Sequence, residues 1–120
     1  MGAILIIEDS AFTRRRIAET LSADGNEVLE AANGYEGLEK AEKLKPDCIV
    51  LDLLMPEMNG LEVLNALKDR GITIPVIVLS ADIQDTTQTE CMELGAAVFV
   101  EKPLKGDELL DAVHGILCSK

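Results

Sequence analysis

Residues 47–60 have the sequence DCIVLDLLMPEMNG, and this stretch decides which fold the chain adopts. Cys48 to Asp52 form a short apolar run that ends on a carboxylate, which predicts a buried strand. Met55-Pro56 and Asn59-Gly60 then predict a turn that leads into a helix. A charged group at the end of a buried strand is costly unless a nearby group requires it, so Asp52 is a candidate functional residue.

Strand-like and helix-like segments alternate along the rest of the chain. Apolar or alternating runs predict four further strands, at residues 3–7, 27–31, 75–80 and 97–101. Apolar residues at helical spacing predict five helices, at 11–23, between Gly34 and Pro46, over Leu61–Leu67, at 84–94 and over Leu109–Leu117. Apolar strands that are each followed by a helix imply a parallel sheet with helices on both faces. The predicted fold is therefore α/β, doubly wound (βα)₅, in one domain that spans residues 1–120.

The composition narrows the class of protein. The chain has 120 residues, a net charge of −11 at pH 7 and only one Tyr, two Phe and no Trp, so the core is expected to be aliphatic. The acidic balance argues against binding to nucleic acid or to an anionic membrane, because both require a basic surface. No apolar run reaches the roughly 18 residues needed to span a membrane, and no signal peptide is evident. The three cysteines show no C-x-x-C pair or other metal-binding spacing. With no evident signal peptide, this favours reduced thiols and a cytoplasmic location.

Polar side chains collect where four of the predicted strands end. The first strand ends on Glu8-Asp9, the third on Asp52 and the fourth on Ser80, and the fifth runs to Lys102. Each residue alone is also explained as a turn or helix-capping residue. Because ligands bind beyond the carboxyl ends of the strands in an open parallel sheet, the set is expected to meet at one rim.

The residue types at this rim indicate which chemistry the site could support. Three neighbouring carboxylates require a counter-charge, and ligands that are all oxygen atoms suit Mg²⁺, with Mn²⁺ as an alternative. A carboxylate nucleophile beside a cation, a lysine and a hydroxyl meets the needs of phosphoryl transfer. The sequence therefore predicts a metal-assisted phosphoryl-transfer site.

These motifs resemble those of response-regulator receiver domains, and the resemblance covers the full chain. The matching segments are IIEDS at 6–10, LDLLMPEMNG at 51–60, VLSA at 78–81 and EKP at 101–103. The resemblance implies a flavodoxin-like, five-stranded parallel sheet of order 2-1-3-4-5. It also implies two-component signalling, in which a histidine kinase or a histidine phosphotransfer protein donates a phosphoryl group, as in stand-alone chemotaxis-type regulators.

The resemblance assigns a metal and phosphoryl site to particular residues. Asp52 is expected to be the phosphoacceptor, and Ser80 and Lys102 are expected to contact the phosphoryl group. The expected metal ligands are the carboxylates of Glu8, Asp9 and Asp52 and the backbone carbonyl of Leu54. Such a domain catalyses only its own phosphorylation and dephosphorylation, so the chain is not expected to be an enzyme.

The resemblance also implies a switch. Ser80 and Phe99 are expected to couple phosphorylation to the face formed by the fourth helix, the fifth strand and the fifth helix, where a protein partner would bind. The fourth helix has three threonines and few apolar anchors, so it is expected to re-pack at low cost. Leu54 and Asp82, which lie two residues after Asp52 and Ser80, are expected to tune the phosphoryl lifetime. The chain is expected to be a monomer or a weak dimer.

Several alternatives stay open. A Mg²⁺-dependent phosphatase of the haloacid-dehalogenase kind is disfavoured because Leu54 stands where such enzymes have a second Asp. A nucleotide- or flavin-binding module is disfavoured because no G-x-G-x-x-G follows the first strand. Within the receiver interpretation, the chain is a phosphorelay intermediate, a phosphate sink, or a piece of a larger regulator, although a start at Met1 favours a complete small protein. Arg14-Arg15-Arg16 form either a solvated face or a docking patch for an acidic partner.

Overall fold

The structure is a computed structural model that describes residues 2–80, 85–101 and 106–118. Strands and helices alternate through the described residues as the sequence predicts. They are β1 (Ala3–Ile7), α1 (Ala11–Ala23), β2 (Glu27–Ala31), α2 (Gly34–Leu44), β3 (Cys48–Asp52), α3 (Gly60–Asp69), β4 (Val76–Ser80), α4 (Asp85–Glu93), β5 (Val98–Glu101) and α5 (Gly106–Cys118). None of the described helices is long and apolar enough to cross a membrane.

The strands form one parallel sheet of order β2-β1-β3-β4-β5, which confirms the predicted α/β fold and places β2 at an edge. The register brings the carboxyl ends of the strands to one level. Ile7 pairs with Ala31 on one side and Leu51 on the other, Asp52 pairs with Leu79, and Ser80 pairs with Glu101. Side chains that follow these strand ends therefore meet at one edge of the sheet.

The core consists of two layers, one on each face of the sheet. One layer packs α2, α3 and α4 against the sheet, and the other packs α1 and α5 against the opposite face. Successive residues of β3 and β4 alternate between the layers, and all residues of both strands are buried. Strands that are apolar on both faces are the expected interior of a sheet covered by helices on both sides.

Two strands begin later than the sequence predicts. β4 begins at Val76 and not at Pro75, and β5 begins at Val98 and not at residue 97. Proline has no backbone N–H, so Pro75 joins the sheet only through its carbonyl, which accepts the Ile49 N–H at 2.9 Å. The N–H of Ala97 donates to the Val76 carbonyl at 2.8 Å, so both residues lie at the entry of the ladder.

α4 has a thin apolar face. Among its described side chains, residues 87–93, only Cys91 is buried, and Met92 is exposed. α3 and α5, by contrast, each bury at least three residues. Since most of the stability of a helix in a protein comes from its packed apolar face, α4 is weakly held.

Candidate functional site

Three carboxylates meet at the carboxyl edge of the sheet. Each of Glu8, Asp9 and Asp52 offers an oxygen, and these oxygens lie within 4.8 Å of one another. Glu8 is 2% exposed and Asp52 is 4% exposed, whereas Asp9 is open to solvent. Carboxylates this close repel one another, and a bound cation would offset that repulsion. The all-oxygen donor set, open on the side of Asp9, fits a hard divalent cation such as Mg²⁺.

The turn between β1 and α1 carries two of these carboxylates. The Glu8 N–H donates to the carbonyl of Ala31, the last residue of β2, at 3.1 Å. The Ser10 N–H lies 3.4 Å from Glu8 Oε2, and Ser10 Oγ accepts the Thr13 N–H at 3.3 Å as the N-cap of α1. The start of α1 and the end of β2 therefore both hold this turn.

Arg14 also holds the turn. Its Nη1 donates to the Glu8 carbonyl at 2.7 Å, and its Nε lies 3.1 Å from Glu30 Oε1 on β2. The Arg14 side chain is only 19% exposed, so the solvated-face interpretation of the arginine run is wrong for this residue, and the docking patch stays a prediction. Arg15, whose side chain is 82% exposed beside Glu19, does face solvent. The sequence did not reveal this difference, because it arises from the packing of α1 against β2.

The start of α3 packs directly on the end of β3. The Gly60 N–H donates to the Leu53 carbonyl at 2.8 Å, and the Leu53 N–H donates to the Leu79 carbonyl at 3.0 Å. A Cβ atom on Gly60 would lie 2.7 Å from Leu53 Cα and 2.9 Å from the Asp52 carbonyl oxygen. Glycine is therefore required for this approach, a role that the Asn59-Gly60 turn pattern in the sequence does not reveal.

A capping box fixes the first turn of α3. Asn59 Oδ1 accepts the Glu62 N–H at 3.0 Å, and Glu62 Oε1 accepts the Asn59 N–H at 3.2 Å. The pattern of a capping residue followed three positions later by Glu was visible in the sequence. This box and the Gly60 contact together anchor the loop that follows Asp52.

Ser80 and Phe99 lie on adjacent strands, β4 and β5, on the side of the sheet beyond β3. Ser80 ends β4 and is 1% exposed. Phe99 on β5 pairs with Val78 and is half-buried against the layer that contains α2, α3 and α4. A buried hydroxyl at the end of the strand next to β3 completes a polar rim around Asp52.

The response regulator receiver domain family matches residues 4–114 of this chain. The chain belongs to this family. This receiver domain is 36% identical over 115 residues to the chemotaxis protein CheY of Bacillus subtilis, a match that covers 95% of this chain and 96% of that protein. It is 44% identical over 104 residues to a protein-glutamate methylesterase/protein-glutamine glutaminase of Treponema denticola, which covers 83% of this chain and only 28% of that protein.

Solved structures have the same fold as this receiver domain. The chemotaxis protein CheY4 of Vibrio cholerae superposes with a TM-score of 0.91 at 30% identity, over 97% of this chain and 98% of that one. The receiver domain of the Francisella response regulator 1452 superposes with a TM-score of 0.94 at 27% identity over the whole of both chains. These matches confirm the predicted family, flavodoxin-like fold and place in two-component signalling.

Of the remaining predicted site residues, one lies within the described part of the chain and two lie outside it. Leu54 follows the acidic strand end, and its side chain is 66% exposed between the buried Leu53 and Met55. Its backbone carbonyl as a metal ligand stays a prediction. Lys102 and Asp82 lie outside the described residues, so their predicted roles also stay predictions.

A charged network lies beside the acidic turn of the receiver domain. Lys40 Nζ lies 3.0 Å from Glu36 Oε1 and also donates to the Glu30 carbonyl, and the Ala32 N–H lies 3.5 Å from Glu36 Oε2. The hydrogen bond from Lys40 lowers the pKa of Glu36, with further help from the Ala32 N–H and the Arg14 charge and against a smaller opposing effect of burial. This network joins α2 to the end of β2.

Proposed function

We propose that this receiver domain accepts a phosphoryl group on Asp52 from a histidine kinase or a histidine phosphotransfer protein, in a reaction that depends on Mg²⁺. The observation that carries the proposal is the convergence of the Glu8, Asp9 and Asp52 oxygens within 4.8 Å of one another at the edge of the sheet where ligands bind. Membership of the receiver family supports the same reaction.

Each side chain of the site would have a separate role in the reaction. Glu8, Asp9 and Asp52 would hold Mg²⁺ or Mn²⁺, with the Leu54 carbonyl as a further donor, and the bound cation would offset charge on the phosphoryl oxygens. An Asp52 carboxylate oxygen attacks phosphorus and forms a P–O bond as the P–N bond to the donor imidazole breaks. The electron pair of the broken bond stays on the imidazole nitrogen, which takes up a proton. Ser80 donates a hydrogen bond to one phosphoryl oxygen, and Lys102 pairs with another.

Phosphorylation then serves as a signal. Ser80 and Phe99 would transmit the change to the surface formed by α4, β5 and α5, where a downstream protein binds. The domain catalyses only its own phosphorylation and dephosphorylation, and it acts as a monomer or weak dimer. Free thiols at Cys48, Cys91 and Cys118 suit a reducing cytoplasmic compartment.

Intact-mass measurement after incubation with a small phosphodonor such as phosphoramidate tests the proposal. The wild-type chain is expected to gain one phosphoryl group with Mg²⁺ present and none with a chelator. Asp52→Asn should gain none, whereas Asp69→Asn, which removes an exposed carboxylate at the end of α3, should react like wild type. Modification of the Asp52→Asn variant, or equal modification without metal, would overturn the proposal.

A second candidate is that the receiver domain forms one part of a larger regulator. It is supported by the Treponema denticola relative, of which this chain spans 28%. The mass of the protein isolated from its source distinguishes the cases. A mass of 13.0 kDa favours an independent domain, and a larger mass favours a regulator with an attached output domain.

A further inference from the structure

Arg14 links the turn that carries the acidic cluster to the edge strand of the sheet. Its guanidinium makes two contacts in different directions, to the Glu8 carbonyl at 2.7 Å and to Glu30 Oε1 at 3.1 Å. These contacts use two different nitrogens of one rigid planar group, which a lysine ammonium does not reproduce. The Arg14 side chain is only 19% exposed, and its contact to the Glu8 carbonyl is partly buried, whereas the Glu30 side chain is 50% exposed.

The turn depends on β2 through two contacts. The Glu8 N–H donates to the Ala31 carbonyl, and the Glu8 carbonyl is tied through Arg14 to Glu30. β2 is an edge strand, and Lys40 of α2 secures it by donating to the Glu30 carbonyl. Both backbone groups of Glu8 are thus held by elements outside the acidic cluster.

We propose that Arg14 is a positioning residue for the divalent-cation site. By tying the Glu8 carbonyl to β2, it fixes the Glu8-Asp9 turn so that both carboxylates face Asp52. This inference rests on the proposed function, because it concerns the same cation site. Part of the cation affinity of that site then depends on Arg14, which is not itself a cation ligand.

Charge alone predicts the opposite effect on cation affinity. A guanidinium near three carboxylates repels a divalent cation, so its removal would tighten Mg²⁺ binding if Arg14 acted only through its charge. If Arg14 acts by positioning, its removal weakens binding. Residues that orient metal ligands from outside the ligand set typically account for about 10- to 100-fold in affinity. The sign of the change therefore separates the two roles.

Mg²⁺ titration of the full chain, followed by NMR at the Glu8–Ser10 amides, measures this sign. Arg14→Gln is expected to weaken Mg²⁺ binding by about tenfold or more. Arg14→Lys keeps the positive charge but loses the planar guanidinium and its several N–H donors. It is therefore also expected to bind Mg²⁺ more weakly than wild type. Arg15→Gln is the matched control, since it removes the same charge from the next residue on an exposed side chain, and its affinity should stay near that of wild type. Equal or tighter binding by folded Arg14→Gln would overturn the proposal.

Hydrogen exchange in the metal-free chain gives an independent readout. The Glu8 amide is expected to exchange faster in Arg14→Gln, while the Leu51 amide in the sheet interior keeps its wild-type rate. If Arg14→Gln does not fold, Glu30→Gln replaces it, because that change loosens Arg14 from β2 and leaves the Glu8 contact in place. A wild-type chain that binds no Mg²⁺ would overturn the proposed function, whereas unchanged Glu8 exchange in the folded variants would overturn the positioning role.

Discussion

Ser80 and Phe99 lie on the same face of the sheet, on adjacent strands and offset by two residues. Phe99 on β5 pairs with Val78 on β4, and Ser80 follows Val78 by two residues, so strand alternation gives all three the same face. That face carries the layer to which α4 belongs. A hydrogen bond formed by Ser80 at the end of β4 is therefore made on the face where Phe99 packs against the layer that includes α4.

We predict that phosphoryl-analogue binding moves Phe99 through Ser80. The chain has two phenylalanines, so fluorophenylalanine labelling gives two ¹⁹F signals. Beryllofluoride with Mg²⁺ is expected to shift the Phe99 signal, and Ser80→Ala should lose most of that shift because it removes the hydroxyl. Phe12→Leu assigns the signals, since Phe12 is exposed on α1. An equal Phe99 shift in Ser80→Ala would argue against the coupling.

We predict that Leu54→Asn shortens the lifetime of the phosphorylated form. Leu54 presents an exposed apolar side chain two residues after Asp52, where we expect it to keep water from an attached phosphoryl group. An Asn amide at that position would hydrogen-bond the attacking water, and we expect dephosphorylation to be roughly tenfold faster. Decay of the phosphorylated mass after removal of the phosphodonor measures the rate.

Leu44→Asn is the control for this change. Leu44 is also an exposed leucine, but it ends α2, away from the carboxyl edge of the sheet. Both substitutions are expected to change the free energy of unfolding by less than about 0.5 kcal/mol. Equal decay rates in wild type and Leu54→Asn would remove the shielding role of Leu54.

We predict that Gly60→Ala destabilises the chain by about 1–3 kcal/mol, because the new methyl group meets the backbone of Asp52 and Leu53. Gly115→Ala is the matched control. Gly115 lies in α5, and its added methyl group would meet no atom of another described element within 4 Å, so alanine there is expected to stabilise by about 1 kcal/mol. Urea unfolding of both variants measures the difference, and a neutral Gly60→Ala would contradict the close contact.

We predict a pH-dependent contribution from Glu36. Its pKa is lowered in the folded chain, chiefly by Lys40, so its stabilising effect is present above the ordinary glutamate pKa of about 4.3. The effect is lost as the pH falls through the lowered pKa. Because the side chain is 41% exposed, we expect Glu36→Gln to cost less than about 1 kcal/mol at neutral pH.

Unfolding free energies of wild type and Glu36→Gln as a function of pH test this prediction. The two curves are expected to differ at neutral pH and to converge in acid. Glu39→Gln is the control, since it removes a carboxylate from the same helix and from a more exposed pair with Lys43. Curves that stay parallel into acid would show that Glu36 does not contribute in this way.

The sequence predicted the fold well because most of its signals were local. The apolar run of β3 and the alternation of β2 correspond to their observed strands, Cys48–Asp52 and Glu27–Ala31. The strand order came from the resemblance, since periodicity alone does not say which strands pair. The small differences at the starts of β4 and β5 concern backbone hydrogen bonds at the entry of the ladder, which single residues do not encode.

The candidate site was predicted less completely. Glu8, Asp9 and Asp52 were found because each follows or ends a strand, and a parallel sheet brings such residues together. Arg14 and Gly60 were missed because their roles depend on where α1 and α3 lie against the sheet. Arg14 resembles its neighbours in an arginine run, and only its tertiary contacts to Glu8 and Glu30 set it apart.

The division of the core into two layers means that a re-packing of α4 would leave the packing of α1 on the opposite face of the sheet unchanged. α4 belongs to one layer, and α1 and α5 close the other across the sheet. If α4 re-packs on phosphorylation, we expect Ile17 and Leu21, the buried residues of α1, to keep their neighbours. We therefore expect a protein that binds along α1 to recognise both forms equally, whereas one that binds α4 distinguishes them.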